Sequence, residues 1–230
     1  MTPMRLEVSQ RARLFAWQAG IAALCLTAGV GCQDDVVTQF PAGLVPIEAN
    51  TATLPAGTPA DPYPEERVVL SGEDSHGAWL HAYGYVKAPI ALVWTAFQDP
   101  AVVIDRRAIT SYTTTLDVEP EYDVSFKVRY VIEDVVTVMF DVNWRESATE
   151  GTVDAPTRVI VAYQKTWGSS FLRRMAGTIE LVQITPDITQ IGWVQRLDAT
   201  NTNAATLESW NADQFTNVIH SVRGEPLLVF

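Results

Sequence analysis

The chain of 230 residues carries a net charge of −11, and 47% of its residues are hydrophobic. Such an acidic chain argues against a nucleic-acid partner, because binding to phosphates needs clustered lysine and arginine that displace counterions. The same charge argues against peripheral docking on anionic lipid headgroups, so covalently attached acyl chains alone are expected to supply any membrane association.

The N-terminal segment has the pattern of an export signal. Three arginines lie among the first 13 residues, an apolar run follows over residues 14–30, and Cys32 comes directly after Gly31. In such signals the basic start stays at the cytoplasmic face, the apolar run enters the membrane, and small residues before the cut fit the peptidase. The pattern therefore predicts export of the rest of the chain.

This order resembles the signals of bacterial lipoproteins, in which the cysteine after the cut becomes the lipidated N-terminus. Val30 and Gly31 fit that pattern, and Gly29 stands where such signals usually carry Leu, Val or Ile. The resemblance implies that residues 1–31 are a signal peptide and that Cys32 is the lipid acceptor. Two alternatives stay open: cleavage nearby without lipidation, or an uncleaved segment that anchors the chain in the membrane.

The same resemblance implies a place in the bacterial cell envelope. Gln33, rather than an aspartate, follows the acceptor and favours the outer membrane, facing the periplasm. Residues 1–31 carry a net charge of +2, so their removal changes −11 to −13. Cys25 leaves with the signal and Cys32 is consumed by lipid, so no disulfide or thiolate metal site is expected in the domain.

Residues 32–66 predict a lipid-anchored, proline-rich tether. Six prolines between positions 41 and 64 remove backbone donors and fix φ, and the residues around them show neither helical nor strand periodicity. We expect a spacer that holds the domain away from the bilayer. A disordered tail without a spacer role is the alternative.

Residues 67–230 predict one domain with a definite order of elements. A short amphipathic helix is expected after Pro89, and the stretches 122–132 and 136–145 alternate between apolar and polar residues as strands with one buried face do. Residues 167–175 predict a loop, either a lid or an ordinary connection. The other expected elements are strands at 79–86, 111–118, 157–165, 176–184 and 190–197 and a second short helical piece at 101–105.

The chain closes with its longest helical pattern. Asn201 is the expected N-cap, apolar residues then recur at helical spacing, and Gly224 ends the helix. Asn211 and Asn217 are expected on its polar side. A long amphipathic helix is expected to pack across the buried face of the sheet.

This order of elements resembles the START and polyketide-cyclase (SRPBCC) superfamily over residues 78–224. The stretch 86–99 carries the resemblance best, because Ala88-Pro89, Val93-Trp94 and Asp99 stand where the family has them. The resemblance implies an α+β helix-grip fold: a curved antiparallel sheet wrapped around a long C-terminal helix, with two short helices after the first strand. It also implies a binding cavity between sheet and helix.

Large aromatic side chains are the candidate lining of that cavity. They are able to enclose a lipid, sterol-like or aromatic ligand, although aromatic residues on a buried strand face also form ordinary core. The candidate ligand-binding residues are Phe126, Tyr130, Phe140, Trp144, Trp193, Trp210 and Phe215.

Catalytic chemistry has few candidates in this sequence. His81 lies on the first predicted strand, His76 in a charged turn, and His220 at the helix end, where it is expected to cap carbonyls. No two histidines have metal-ligand spacing, and phosphate loops and nucleophile elbows are absent from the sequence. We therefore predict no catalytic residue, no metal site and no cofactor.

The sequence thus predicts an envelope lipoprotein that binds or carries a hydrophobic small molecule or lipid without catalysis. Its membrane contact is the N-terminal lipid anchor, and no protein partner is identified. Two alternatives stay open: a cyclase-like, aromatase-like or hydrolytic enzyme that uses the same cavity, and a structural or protein-interaction lipoprotein with a filled core. An inward polar cluster favours catalysis, and a continuous apolar lining favours carriage.

Overall fold

The computed structural model describes residues 35–133 and 136–229. Cys32 and the predicted signal segment lie outside the described residues. Among the helices of the described ranges, none combines the length and the apolar character that crossing a bilayer requires.

One antiparallel sheet of eight strands forms the body of the domain, in the spatial order β1-β2-β8-β7-β6-β5-β4-β3. The strands are β1 (Arg67–Asp74), β2 (Gly77–Val86), β3 (Ser111–Leu116), β4 (Val124–Glu133), β5 (Thr137–Gly151), β6 (Pro156–Gly168), β7 (Leu172–Thr185) and β8 (Ile188–Ala199). The helices in the described part of the chain are α1 (Ile90–Phe97), α2 (Pro100–Val103) and α3 (Ala204–Arg223).

The long helix α3 packs on the inner face of the curved sheet, beside α1 and α2. Its apolar residues Leu207, Trp210 and Val218 are buried, as the helical spacing predicts. The side chain of Asn203, not of Asn201, caps the helix by accepting a hydrogen bond from Thr206 N. The predicted α+β helix-grip architecture is confirmed.

Strand β1 is absent from the sequence-based prediction. Within the described ranges it is an edge strand that pairs with β2 alone, and most of its residues are half-buried. An edge strand of this kind lacks the clear alternation that a half-buried central strand shows. The two short helices consequently follow the second strand rather than the first.

The loop predicted at residues 167–175 is mostly strand. Strand β6 continues to Gly168 and β7 begins at Leu172, so residues 169–171 alone form the turn. Pairing between β6 and β7 stops at Gln164 and Ala176, and beyond that point β6 still pairs with β5. The glycine and serines therefore mark a turn between two strands that have separated.

The polar side of α3 is also different from the prediction. Asn211 and Asn217 are fully buried, and they lie against the sheet and α2 rather than in water. Asn211 Nδ2 donates to Gln195 Oε1 at 3.2 Å, and Gln195 Nε2 donates to Gln214 Oε1 at 2.9 Å. Buried amides need such partners, so this network fixes α3 on the sheet.

Residues 35–51, here called the N-terminal strap, lie along the outer face of the sheet. Val36 N donates to Gly168 O and Thr38 N donates to Thr166 O, both at 2.9 Å, so the strap begins as a short partner for the end of β6. Asp35 pairs with Ser169 in an isolated antiparallel bridge.

Two arginines hold the strap further along. The Arg145 guanidinium lies 3.7 Å from the centre of the Phe40 ring and also donates to Pro41 O. Arg196 donates to both carboxylate oxygens of Glu48, at 2.7 and 2.6 Å. The strap is thus bound to the sheet by cation–π contact and by a bidentate ion pair.

Candidate functional site

A cavity of about 420 Å³ lies between the sheet and the start of α3. Its wall is built from the α2–β3 connection, the ends of β4 and β5, the β6–β7 turn and the β8–α3 connection. The lining residues are Ile104, Asp105, Ala108, Ile109, Tyr130, Ile132, Val136, Val138, Phe140, Phe171, Leu172, Met175, Leu197, Ala199, Thr200, Asn201, Thr202, Thr206 and Trp210. This volume lies within the range of about 300–1,000 Å³ that is typical of small-molecule sites.

The wall is apolar on most sides and polar on one. Threonine and asparagine residues are confined to residues 200–206, the β8–α3 connection and the first turn of α3. Asn201 has a φ of 63°, a left-handed conformation that Asn tolerates better than most residues. A ligand with one polar end and an apolar body matches this arrangement.

Tyr130, Phe140 and Trp210 are the three predicted aromatic residues that line the cavity. Tyr130 and Phe140 face each other across β4 and β5, with ring centroids 5.2 Å apart. Trp210 Nε1 donates to Val103 O at 3.0 Å, which fixes the indole between α3 and α2. Burial raises the pKa of Tyr130 well above its usual range, so its hydroxyl stays protonated.

The other predicted aromatic residues lie in the packed interior behind the cavity. Phe126 stacks on Trp144, and Trp144 stacks on Tyr163 with ring centroids 4.5 Å apart. The Tyr163 and Trp210 rings in turn form an edge-to-face pair. This column of rings fills the region behind Trp210.

Trp193 and Phe215 form a separate pair. Their ring centroids are 5.9 Å apart in an edge-to-face arrangement between β8 and α3. Both residues are buried, and neither is among the cavity-lining residues. The cavity therefore lies at one end of the space between sheet and helix, and Trp193 and Phe215 pack outside it.

About half of the lining residues lie in connections, which alternation along strands does not reveal. Ile104, Ile109, Phe171 and Met175 lie outside every stretch that predicted a buried strand face. The sequence does give a reason to place Phe171 and Leu172 at the cavity opening, because they are apolar and follow a glycine and two serines that permit motion. Phe171 remains 41% exposed at the edge of the cavity.

Glu146 is a fully buried carboxylic acid that no sequence pattern distinguishes from a surface residue. Trp94 Nε1 donates to its Oε2 at 2.6 Å, and its Oε1 has no hydrogen-bond partner among the described residues. Burial raises the pKa of Glu146 to about 8, opposed by the hydrogen bond from Trp94. Glu146 is not among the cavity-lining residues, so it belongs to the packed core.

The three histidines lie away from the cavity. His81 is on the outer face of β2, where its Nδ1 is 2.7 Å from Thr51 Oγ1 and its Nε2 is 3.2 Å from Glu48 Oε1. His220 Nδ1 is 2.7 Å from Pro226 O at the end of α3. His76 lies in the β1–β2 turn.

Comparisons with known proteins give a likeness of fold only. No protein-family model matches the chain, and no curated protein matches it. The chain is similar to human StAR-related lipid transfer protein 5 (10% identity, 70% of this chain and 84% of that chain, TM-score 0.48). It is also similar to a START superfamily protein from Mycobacterium smegmatis (10% identity, 64% of this chain and 94% of that chain, TM-score 0.42). A third similar structure is the Zhui aromatase/cyclase of a Streptomyces species (12% identity, 69% of this chain and 93% of that chain, TM-score 0.40).

Proposed function

We propose that this protein binds a hydrophobic small molecule or lipid in its cavity and holds it without chemical change. The observation that carries the proposal is the cavity of about 420 Å³, whose wall is apolar on most sides and polar at the β8–α3 connection. Burial of an apolar molecule there gains about 25 cal/mol for each Å² removed from water. The hydroxyl and amide groups of residues 200–206 would meet the polar end of the ligand.

The ionisable groups around the cavity support binding rather than catalysis. Among the described residues that line it, Asp105 and Tyr130 alone have ionisable side chains. Asp105 Oδ1 accepts hydrogen bonds from Arg107 N and Nε, at 3.1 and 3.2 Å. Acid–base catalysis needs a group poised near the working pH within reach of the substrate, and burial holds the pKa of Tyr130 well above that range.

An enzyme that uses the same cavity is the second candidate, and the group that bears on it is Glu146, a buried carboxyl that lies outside the cavity lining. A buried carboxyl with a raised pKa is typical of a general acid. Its contact with Trp94 and its place in the packed core favour a structural role. A bound molecule recovered chemically unchanged after incubation with wild-type protein is the expected result.

We further propose that the chain is a lipoprotein of the bacterial envelope, anchored through Cys32 and facing the periplasm at the outer membrane. The support is the basic start, the apolar run of residues 14–30 and the position of Cys32 after Gly31. A Cys32→Ser variant should lose its acyl groups and leave the membrane fraction. A variant that still fractionates with membranes would contradict the anchor.

Native mass spectrometry of the protein extracted from a bacterial envelope tests the binding proposal. We expect a population heavier than the polypeptide by the mass of a hydrophobic molecule, which organic extraction then releases. Protein that carries nothing extractable and takes up no added hydrophobic probe would contradict binding. The interaction lipoprotein with a filled core would then be the better description.

A further inference from the structure

We propose that the lipid anchor orients this domain so that the mouth of the cavity faces the bilayer. The proposal rests on the lipidation of Cys32 proposed above and adds to it the geometry of the docked domain. The occupant of the mouth-side surface is thus a lipid surface rather than another protein.

The first step is the position at which the N-terminal strap begins. Asp35 is the bridge partner of Ser169, and Ser169 precedes the cavity-lining residue Phe171 by two positions. Antiparallel partners have Cα atoms about 5 Å apart, and two residues span at most about 7 Å. The Cα of Asp35 therefore lies within about 12 Å of the Cα of Phe171, at the mouth.

The second step is the length of chain that separates the strap from the anchor. Three residues lead from Asp35 to Cys32, and they span at most about 11 Å. Strand β7, with its 14 residues, extends about 45 Å from the mouth to the opposite end of the sheet. The short connection therefore favours entry of the acyl chains on Cys32 into the bilayer on the mouth side of the sheet.

The strap is bound to the sheet, so no flexible segment after Asp35 lengthens the distance between the anchor and the mouth. Its first residues pair with the end of β6, and the contact of Arg145 with Phe40 fixes it again a few residues later. Unlike a free tether of the same composition, a bound strap transmits the position of the anchor to the sheet. The domain consequently has one end held near the membrane.

The third step is the surface around the bridge. Val37, Val136, Met139 and Phe171 expose 78%, 50%, 45% and 41% of their surface, and Ser169 N donates to Met139 O at 2.9 Å. Exposed apolar side chains next to an acyl anchor are suited to the interfacial region of a bilayer. Since the chain has a net charge of −11, apolar contact rather than headgroup attraction would hold this surface.

The orientation would shorten the path of a ligand. A hydrophobic molecule that leaves the bilayer beside Phe171 would enter the cavity without crossing bulk water. The anchor also keeps the local lipid concentration at the mouth high.

Site-specific quenching tests the orientation in the mature, acylated protein. Phe171→Cys and Val153→Cys each add a single free thiol, because Cys25 leaves with the signal and Cys32 is blocked by lipid. Val153 is the matched control, since it is 52% exposed in the β5–β6 turn at the opposite end of the sheet. Each variant is labelled with an environment-sensitive fluorophore and reconstituted in phosphatidylcholine vesicles that contain a nitroxide-labelled lipid.

We expect quenching at position 171 to be several-fold stronger than at position 153, and Val136→Cys to repeat the result from the other side of the mouth. Equal quenching at the two ends, with acylated Cys32 verified by mass spectrometry of the N-terminal peptide, would overturn the orientation alone. A mature Cys32 without acyl groups would overturn the anchor and the orientation together.

A spacer variant tests whether the short connection between Cys32 and Asp35 causes the mouth to face the bilayer. A flexible Gly/Ser insert of about 20 residues between Asp34 and Asp35 adds roughly 25 Å of root-mean-square reach. We expect it to reduce the difference in quenching between positions 171 and 153 several-fold. An unchanged difference would contradict the role of the three-residue connection.

Discussion

The indole Nε1 of Trp94 donates a hydrogen bond of 2.6 Å to Oε2 of Glu146, which joins helix α1 to the inner face of strand β5. Glu146 is fully buried among apolar and aromatic side chains. A charged carboxylate in that position would lose its hydration without gaining an ion pair. The proton on this carboxyl therefore links the stability of the fold to pH.

The Glu146→Gln variant should remove part of the pH dependence of stability. Burial raises the pKa of Glu146 from 4.5 to about 8, so the folded protein binds more protons than the unfolded chain between those values. The free energy of unfolding should then fall as pH rises from about 4.5 to about 8, at up to about 1.4 kcal/mol per pH unit. Gln keeps an oxygen that accepts from Trp94 but does not titrate.

Urea unfolding of wild type and variant across that pH range measures the effect. The wild type should lose stability relative to Glu146→Gln as pH rises, and the difference should level off above pH 8 or so. Glu121→Gln is the control, because it makes the same substitution at an exposed site. Parallel curves for wild type and Glu146→Gln would contradict the coupling.

The Arg145→Ala variant should release the N-terminal strap. Arg145 is 8% exposed and joins the strap at Phe40 to Glu119, whose Oε2 accepts from Arg145 Nε at 2.6 Å. Loss of the ring contact and of a largely buried ion pair should cost about 2 kcal/mol or more. Hydrogen exchange should become faster at the amides of Val36 and Thr38, the two strap residues that donate hydrogen bonds to β6.

Arg158→Ala separates this effect from a general loss of surface ion pairs. Arg158 pairs with Glu180 on β7 and with Glu150 on β5, and both of these ion-pair partners lie outside the strap. Its removal should leave strap exchange at the wild-type rate. Equal acceleration by both variants would show that Arg145 has no special role.

Gly168→Ala should destabilise the fold more than Gly224→Ala. Both glycines have positive φ, 115° and 66°, so alanine is strained at either position. At Gly168 a Cβ atom would also lie 2.2 Å from Met139 O, whereas at Gly224, the end of α3, it would meet nothing within 4 Å. We expect a loss of about 1 kcal/mol at Gly224 and clearly more at Gly168, measured by urea unfolding. A smaller loss at Gly168 would contradict the close approach of β5 and β6 there.

The sequence predicted the central strands well because one face of each is buried. Phe126, Val128 and Tyr130 alternate with polar residues on β4, and the same pattern recurs on β5. Edge strand β1 was not predicted, because both of its faces are partly exposed and its apolar and polar residues therefore do not alternate. The helix at Ile90–Phe97 was recognised from its apolar spacing after Pro89.

The site was harder to predict because its position depends on contacts between connections. Tyr130, Phe140 and Trp210 line the cavity, but Trp144 and Phe126 occupy equivalent positions further along the same strands and are stacked in the core. Strand alternation identifies the buried face and does not say where along it side chains leave a space. Asn211 looked like a solvent-facing residue because its hydrogen-bond partner, Gln195, is distant in the sequence.

Equilibrium binding of a fluorescent fatty-acid probe to cavity variants tests the central claim most directly. Ala199→Trp places an indole in the cavity wall, Met175→Trp repeats this from β7, and Ala155→Trp adds the same group to the exposed β5–β6 turn as a control. We expect wild type and Ala155→Trp to bind the probe with the same Kd. The two cavity variants should bind at least about tenfold more weakly, a loss of about 1.4 kcal/mol or more, with unchanged circular dichroism. Equal binding by all four proteins, or no binding by folded wild type, would contradict a hydrophobic ligand site in this cavity.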